Sequence, residues 1–161
     1  MLIRDASASD FERILQLNEE SVHFLSPLTL ARLETLHAEA AYHRVIDQNG
    51  EIAGFLLAFR EGTNYDSSNY VWFTERYEHF LYVDRIVVSK DFQGRGIGNM
   101  LYDDLFEFAR NIGVTWVTCE FDIDPPNDAS RRFHERFGFS EVGTRSYGEV
   151  VKQVSLQMVA V

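Results

Sequence analysis

Apolar and polar residues change period several times along the chain, and each change marks an element. Leu2 to Arg4 predicts a short strand. Ser9-Asp10-Phe11-Glu12 reads as a capping box, and Phe11, Ile14 and Leu15 follow at helical spacing. Ser26-Pro27 is a second start signal, and Leu30, Leu33 and Leu36 then predict a helix to about Ala41. Tyr42–Ile46 and Ile52–Phe59 flank Gln48-Asn49-Gly50-Glu51, and Asn-Gly between two apolar runs predicts a hairpin. Glu61 to Glu78 is an aromatic-rich insertion with Tyr65, Tyr70, Trp72, Phe73 and Tyr77. Phe80–Val88, rich in β-branched residues, predicts a buried strand with Tyr82 and Asp84 in its middle.

A glycine-rich turn over Asp91–Asn99 leads into a helix whose stripe is Ile97, Leu101, Leu105 and Phe108, with Gly113 as its stop. Val114–Phe121 reads as a strand, broken by Asp124-Pro125-Pro126. Asn127 or Asp128 caps a helix carrying Ala129 and Phe133, and Gly138 ends it. Phe139–Val142 and Val150–Met158 are the terminal strands. The order β-αα-βββ-α-β-α-ββ predicts a mixed sheet in an α/β (α+β) fold, with residues 1–161 as a single domain.

Composition narrows the function. A chain of 161 residues can bury roughly 70% of its unfolded surface without disulfide or metal staples. A net charge of −10 argues against nucleic acid as a partner and fits a cationic or neutral small substrate. One cysteine, Cys119, excludes an internal disulfide and a multi-cysteine zinc site, so no metal centre is expected and a reducing cytoplasm fits best. Met1-Leu2-Ile3-Arg4-Asp5 runs into polar residues rather than an apolar signal segment, and no apolar run approaches membrane-spanning length.

The sharpest chemistry lies in Gln93-Gly94-Arg95-Gly96-Ile97-Gly98-Asn99, where a buried strand passes into a helix. Glycines allow positive φ and close approach of a ligand, and a helix start offers unpaired N–H groups and the positive end of a dipole. Together these favour a phosphate or diphosphate. No Gly-Lys-Ser/Thr ending is present, so this is not a P-loop, and Asn99 stands where a dinucleotide fingerprint needs its third glycine.

What remains, Gln93-x-x-Gly96-x-Gly98, resembles the diphosphate loop of the GNAT superfamily of N-acetyltransferases. Downstream, Asn127-x-x-Ser130-x-x-Phe133-His134-x-x-x-Gly138-Phe139 is similar to a second element of that family, at the expected distance. The resemblance implies a mostly antiparallel sheet of about seven strands flanked by four helices, with Phe80–Val88 and Val114–Phe121 splayed apart around acetyl-CoA. It implies coenzyme contacts at Ile86, Val87 and Val88, at Gln93, Gly94, Arg95, Gly96, Ile97, Gly98 and Asn99, and at Asn127, Ser130, Phe133 and His134. The acetyl group would pass directly to a primary amine of a small metabolite or amino-acid-like acceptor. A protein or peptide amine, or a non-catalytic acyl-CoA sensor, is the alternative.

Direct transfer needs a group to accept the amine's proton and a way to stabilise the leaving thiolate. His134 is the candidate thiolate proton donor, standing where the family more often has Tyr; the competing reading is a histidine that only packs. Asp84 is the preferred base. It shares a face with Tyr82, Ile86 and Val88 if the strand is regular, with Arg85 on the other face. Tyr82 or Glu120, relaying through water, competes for that role. Trp72, Phe73, Tyr82 and Glu120 are the candidate acceptor contacts, with Trp72, Phe73 and Tyr77 as a pocket wall; the other reading of the insertion is a loop tied down by its own small core. Cys119 reads as a small core residue and the remaining histidines as structural or exposed. The alternating C-terminal strand is a candidate to pair across a homodimer.

Overall fold

The computed structural model describes residues 1–22, 24–148 and 152–161. Seven strands form one sheet: β1 (Leu2–Asp5), β2 (Tyr42–Gln48), β3 (Glu51–Arg60), β4 (Leu81–Val88), β5 (Trp116–Asp124), β6 (Ser140–Tyr147) and β7 (Lys152–Ala160), in the order β1-β2-β3-β4-β5-β7-β6. Every neighbouring pair is antiparallel except β4 and β5, which are parallel. Among the described residues five α-helices accompany it: α1 (Phe11–Glu20), α2 (Leu30–Glu39), α3 (Ser68–Thr74), α4 (Ile97–Asn111) and α5 (Asp128–Arg136). None is long and apolar enough to cross a membrane.

The expected start signals shift by a few residues. The N-terminal capping interaction uses Ser7 rather than Ser9: its N–H donates to Asp10 Oδ2 at 2.8 Å. Arg4 grips the same carboxylate through two 2.8 Å bonds, which anchors β1 to the start of α1. Thr29, not Ser26-Pro27, caps α2, its Oγ1 accepting from the Arg32 N–H at 3.2 Å. The hairpin turn forms at Asn49 and Gly50, both at positive φ (53° and 89°) as a type I′ turn requires. The expected Val150 start of the last strand lies outside the described residues; β7 is described from Lys152 and runs to Ala160. The strand expected to end at Val142 extends to Tyr147.

The fifth helix, α3, lies inside the aromatic insertion. Its sequence, SNYVWFT, has poor intrinsic helix propensity. Packing forms it instead: Tyr70 and Phe73, one turn apart, are buried against Leu57, Phe59, Phe80 and Tyr82. Trp72 lies over β6, where a Cβ on Gly143 would come within 2.6 Å of the indole.

The sheet separates two layers. Leu56, Ala58, Leu81 and Val83 face α4, packing with Ile97, Leu101, Tyr102 and Leu105. On the opposite face Phe55 and Val87 pack with Ile14 and Leu17 of α1 and Leu33 of α2, and Leu57 packs with Leu36. One irregularity matters for the site. Leu57 pairs with Arg85 and Ala58 with Val83, so Asp84 is an extra residue, a β-bulge in β4. The regular alternation expected along β4 therefore fails. Ile86 and Val88 join Leu81 and Val83 on the α4 side, whereas Tyr82 faces the other layer.

Gly143→Ala is expected to cost about 1–3 kcal/mol by forcing Trp72 off β6, read as a lower denaturation midpoint followed by tryptophan fluorescence.

Candidate functional site

The parallel strands β4 and β5 pair only through Leu81↔Val117 and Tyr82↔Thr118. Beyond these they part. From Val83 onward the edge of β4 that faces away from β3 pairs with no strand among the described residues. The gap is filled by a cleft of about 600 Å3 between β4, β5, α4 and α5. A second cavity of about 260 Å3 adjoins it, bounded by the α1–α2 connection, Tyr65 and the start of α3. Phe24, Leu25, Asp84, Arg85 and Glu120 line both, so the parted strands join one space to the other.

The larger cleft ends at the glycine turn. Gly94 and Gly96 adopt φ of 78° and 76°, and nothing lies within 4 Å of where a Cβ would stand on either. Gly96 is the N-cap of α4, so the amides of the first helical turn have no intrahelical acceptor. Among the described residues no protein atom takes the amides of residues 94–99. Gly98 has a different cause: a Cβ there would sit 3.0 Å from the Phe133 ring, so glycine lets α5 lean on α4. This cradle of free amides in open space fits a diphosphate. Each coenzyme contact implied by the resemblance lines the cleft except Arg95, which lies over the Phe92 ring, 5.0 Å from its centroid.

His134 lies at the cleft, but its ring is fully engaged. Nδ1 is 2.7 Å from the Ser130 carbonyl oxygen, which can only accept, so Nδ1 carries the proton. Burial lowers the affinity of the ring for a second proton, and Nε2 then accepts from the Tyr102 hydroxyl at 2.7 Å. Tyr102, fully buried on α4, is a partner that sequence reasoning missed. It stands next to Leu101 on the inward face of α4, a position that carried the only available hint. Cys119 is buried beside it, and burial holds the thiol protonated.

Asp84 is also committed. Its Oδ1 accepts from the Tyr65 hydroxyl at 2.6 Å and its Oδ2 from Arg85 Nε at 2.9 Å. Arg85 was expected on the opposite face of β4; the bulge brings it round to the neighbouring carboxylate. Arg85 also donates to Asn18 Oδ1 and the Ser26 carbonyl, so this buried pair ties β4 to the α1–α2 connection.

Among the described residues Glu120 on β5 has no such cation in contact. Tyr82 Oη lies 2.8 and 2.7 Å from its two carboxylate oxygens, and Asn69 Nδ2 donates to Oε1 at 3.2 Å. Burial pushes its pKa up to about 8, against the lowering effect of the Tyr82 bond. Tyr82 itself is sealed off from both cavities and reaches them only through Glu120. Trp72 and Phe73, expected as pocket walls, do not line either cavity. Phe73 is fully buried in the core beneath α3, and Trp72 and Tyr77 pack beside it. Of the other histidines, His37 and His43 pair at 2.8 Å away from the cleft, His79 contacts Glu61, and His23 lies outside the described residues.

A sheet parted between two parallel strands, with a helix start facing the gap, places a cradle of free amides at one end of a cleft that opens to both sheet faces. The model of the acetyltransferase (GNAT) family matches residues 3–139. The chain belongs to that family. Phosphinothricin N-acetyltransferase of Streptomyces coelicolor is 42% identical over 67 residues, spanning 40% of this chain and 36% of that one. The matched stretch is about a third of the length of the curated relatives. Ard1 from Thermoplasma volcanium shares the fold with a TM-score of 0.81 at 22% identity, covering 99% of this chain and 97% of that one. The yncA protein of Salmonella typhimurium, solved with its cofactor acetyl-CoA, does so with a TM-score of 0.72 at 18% identity over 99% and 93% of the two chains.

Because the fold raises Glu120 from 4.5 to about 8, it favours the protonated carboxyl. The stability this gives is fully present below about pH 4.5 and is lost as pH rises through about 8. Glu120→Gln, which cannot ionise, is expected to melt higher than the parent above pH 8, with the difference shrinking toward pH 4.5; melting temperatures across that range check it.

Proposed function

We propose that this chain is an acetyl-CoA-dependent N-acetyltransferase that passes the acetyl group directly to a primary amine of a small or amino-acid-like acceptor. One observation carries the reading: Glu120 stands where the coenzyme cleft on one sheet face meets a small cavity on the other. Two substrates entering from opposite faces would meet at that carboxylate. Bound acetyl-CoA supplies an acyl group activated as a thioester. The amides of Gly94–Asn99 would hold its diphosphate, and the unpaired edge of β4 would offer backbone groups to the pantetheine arm and an N–H to polarise the carbonyl. Asn127 and Phe133 flank the arm.

Glu120 accepts the proton of the attacking amine, directly or through one water. The second cavity is lined by three carboxylates; Asp66 pairs with Arg32 and Asp84 with Arg85. Glu120 is the carboxylate left to meet a cationic amine. Its pKa near 8 suits a base that works close to neutrality. Asp84, held by Tyr65 and Arg85, serves as the anchor of the cavity wall. His134, whose only N–H is given to Ser130, serves as a structural link between α4 and α5. With His134 engaged on both nitrogens, water in the open cleft would supply the proton to the leaving thiolate, whose thiol has an ordinary pKa of about 8.5. The cavity of about 260 Å3 suits a small amine better than a polypeptide segment.

Coenzyme A is expected to raise the melting temperature of the parent protein, and Gly96→Val to abolish that rise by straining a residue at φ 76° and obstructing the cradle. No rise in the parent overturns the coenzyme assignment. Thiol release from acetyl-CoA across a panel of primary amines, phosphinothricin included, identifies the acceptor. With that acceptor, kcat/KM is expected to rise with pH to a plateau above about 8, and Glu120→Gln to lose about 100-fold or more together with that limb. Turnover on peptide amines alone favours a protein acceptor, and coenzyme-induced stabilisation without turnover on any amine favours a sensor.

A further inference from the structure

The surroundings of Glu120 are built from elements far apart in the chain. Tyr82 comes from β4, Asn69 from α3 and, one step further out, Arg145 from β6. Arg145 Nη1 donates to Asn69 Oδ1 at 2.8 Å and to Ser68 Oγ at 2.8 Å. A guanidinium can only donate, so the amide oxygen of Asn69 must face Arg145 and its NH2 must face Glu120. Turning the amide over would set oxygen against carboxylate and NH2 against guanidinium. Asn69 is 4% exposed, so water offers it little alternative.

This orientation resolves an ambiguity at the carboxylate. Tyr82 lies within bonding distance of both oxygens but has a single phenolic proton. With Asn69 on Oε1, the Tyr82 proton is free to serve Oε2, its shorter contact at 2.7 Å. The ionised carboxylate then has one donor on each oxygen. The other charges acting on Glu120 come from Asp84 on β4 and Asp122 on β5, and both oppose ionisation. Asn69 and Tyr82 are the groups that favour it.

We infer that Asn69, held in one orientation by Arg145, is a positioning residue for the base: it fixes the Glu120 carboxylate at the mouth of the acceptor cavity and sustains its ionised form. Arg145 acts through the amide and not by contact, so its charge is transmitted to the base across one side chain. The assignment rests on the reading of Glu120 as the base. It makes the docking of α3 on β6, through Trp72 over Gly143 and Arg145 on Ser68 and Asn69, part of the catalytic apparatus.

The test is a carbon-13 NMR titration of protein labelled at glutamate side-chain carboxyls, with the Glu120 signal assigned by its absence in Glu120→Gln. The parent is expected to titrate near 8. Asn69→Ala is expected to raise the proton affinity of Glu120 by about tenfold, because a hydrogen bond to the charged form is lost. Arg145→Met, which frees the amide to turn, is expected to move it the same way by less, and Arg145→Lys to restore most of the parent value. The pH limb of kcat/KM should move with the titration. Coenzyme-induced stabilisation in each variant confirms that the fold is retained. A parent signal near 4.5 overturns the base assignment itself. A parent signal near 8 that stays fixed in both Asn69→Ala and Arg145→Met overturns only the positioning role.

Discussion

The site depends on a mismatch between neighbours: β4 and β5 run side by side and parallel, yet share only the pairs Leu81↔Val117 and Tyr82↔Thr118. Parallel strands at the centre of a sheet normally bond along their length, and buried backbone groups without partners are costly. Here the partners are withheld where the strands diverge, and the unpaired edge becomes the wall of a cleft. Because the gap passes through the sheet, a residue on β5 such as Glu120 borders cavities on both faces without leaving its strand.

Two local devices make the gap usable. The extra residue at Asp84 turns the rest of β4 over, so that Ile86 and Val88 face α4 and Arg85 comes round to pair with Asp84. The second device is the left-handed bend at Gly94 and Gly96, which starts α4 with its free amides directed at the end of the cleft. Phe133 leaning on Gly98 then sets α5 beside α4. Charge placement follows the same division. Carboxylates that hold the walls, Asp66 and Asp84, have arginine partners, while Glu120 is bonded, among the described residues, by the neutral donors Asn69 and Tyr82.

Much of this was legible in the sequence. The Asn49-Gly50 hairpin, the glycine bend, an α5 cap at Asn127 or Asp128 and the succession of elements apart from α3 follow from local patterns with known physical causes, and the structure places them as expected, with Asn127 as the cap. What was not legible depends on contacts between distant segments. The bulge at Asp84 leaves no mark in composition, so a regular strand put Tyr82 on the wrong face. The helix α3 is made by tertiary packing against propensity, which is why Trp72 and Phe73 read as pocket walls when Phe73 is core. His134 was visible through its motif, but its bonding was not: the Ser130 carbonyl and Tyr102 decide its tautomer, and only the folded chain brings Tyr102 to it. Asn69 carried no signal at all, since an asparagine in a polar, aromatic stretch looks like loop chemistry.

The clamp of Arg145 on Ser68 and Asn69 also bears on how the protein matures. In order of synthesis the glycine bend and Glu120 both precede β6, the strand that carries Arg145. A nascent chain could already form the glycine bend, but its carboxylate would lack the outer support that directs Asn69. On the proposed reading, the outer support of the Glu120 carboxylate is therefore completed only when β6 has closed onto α3.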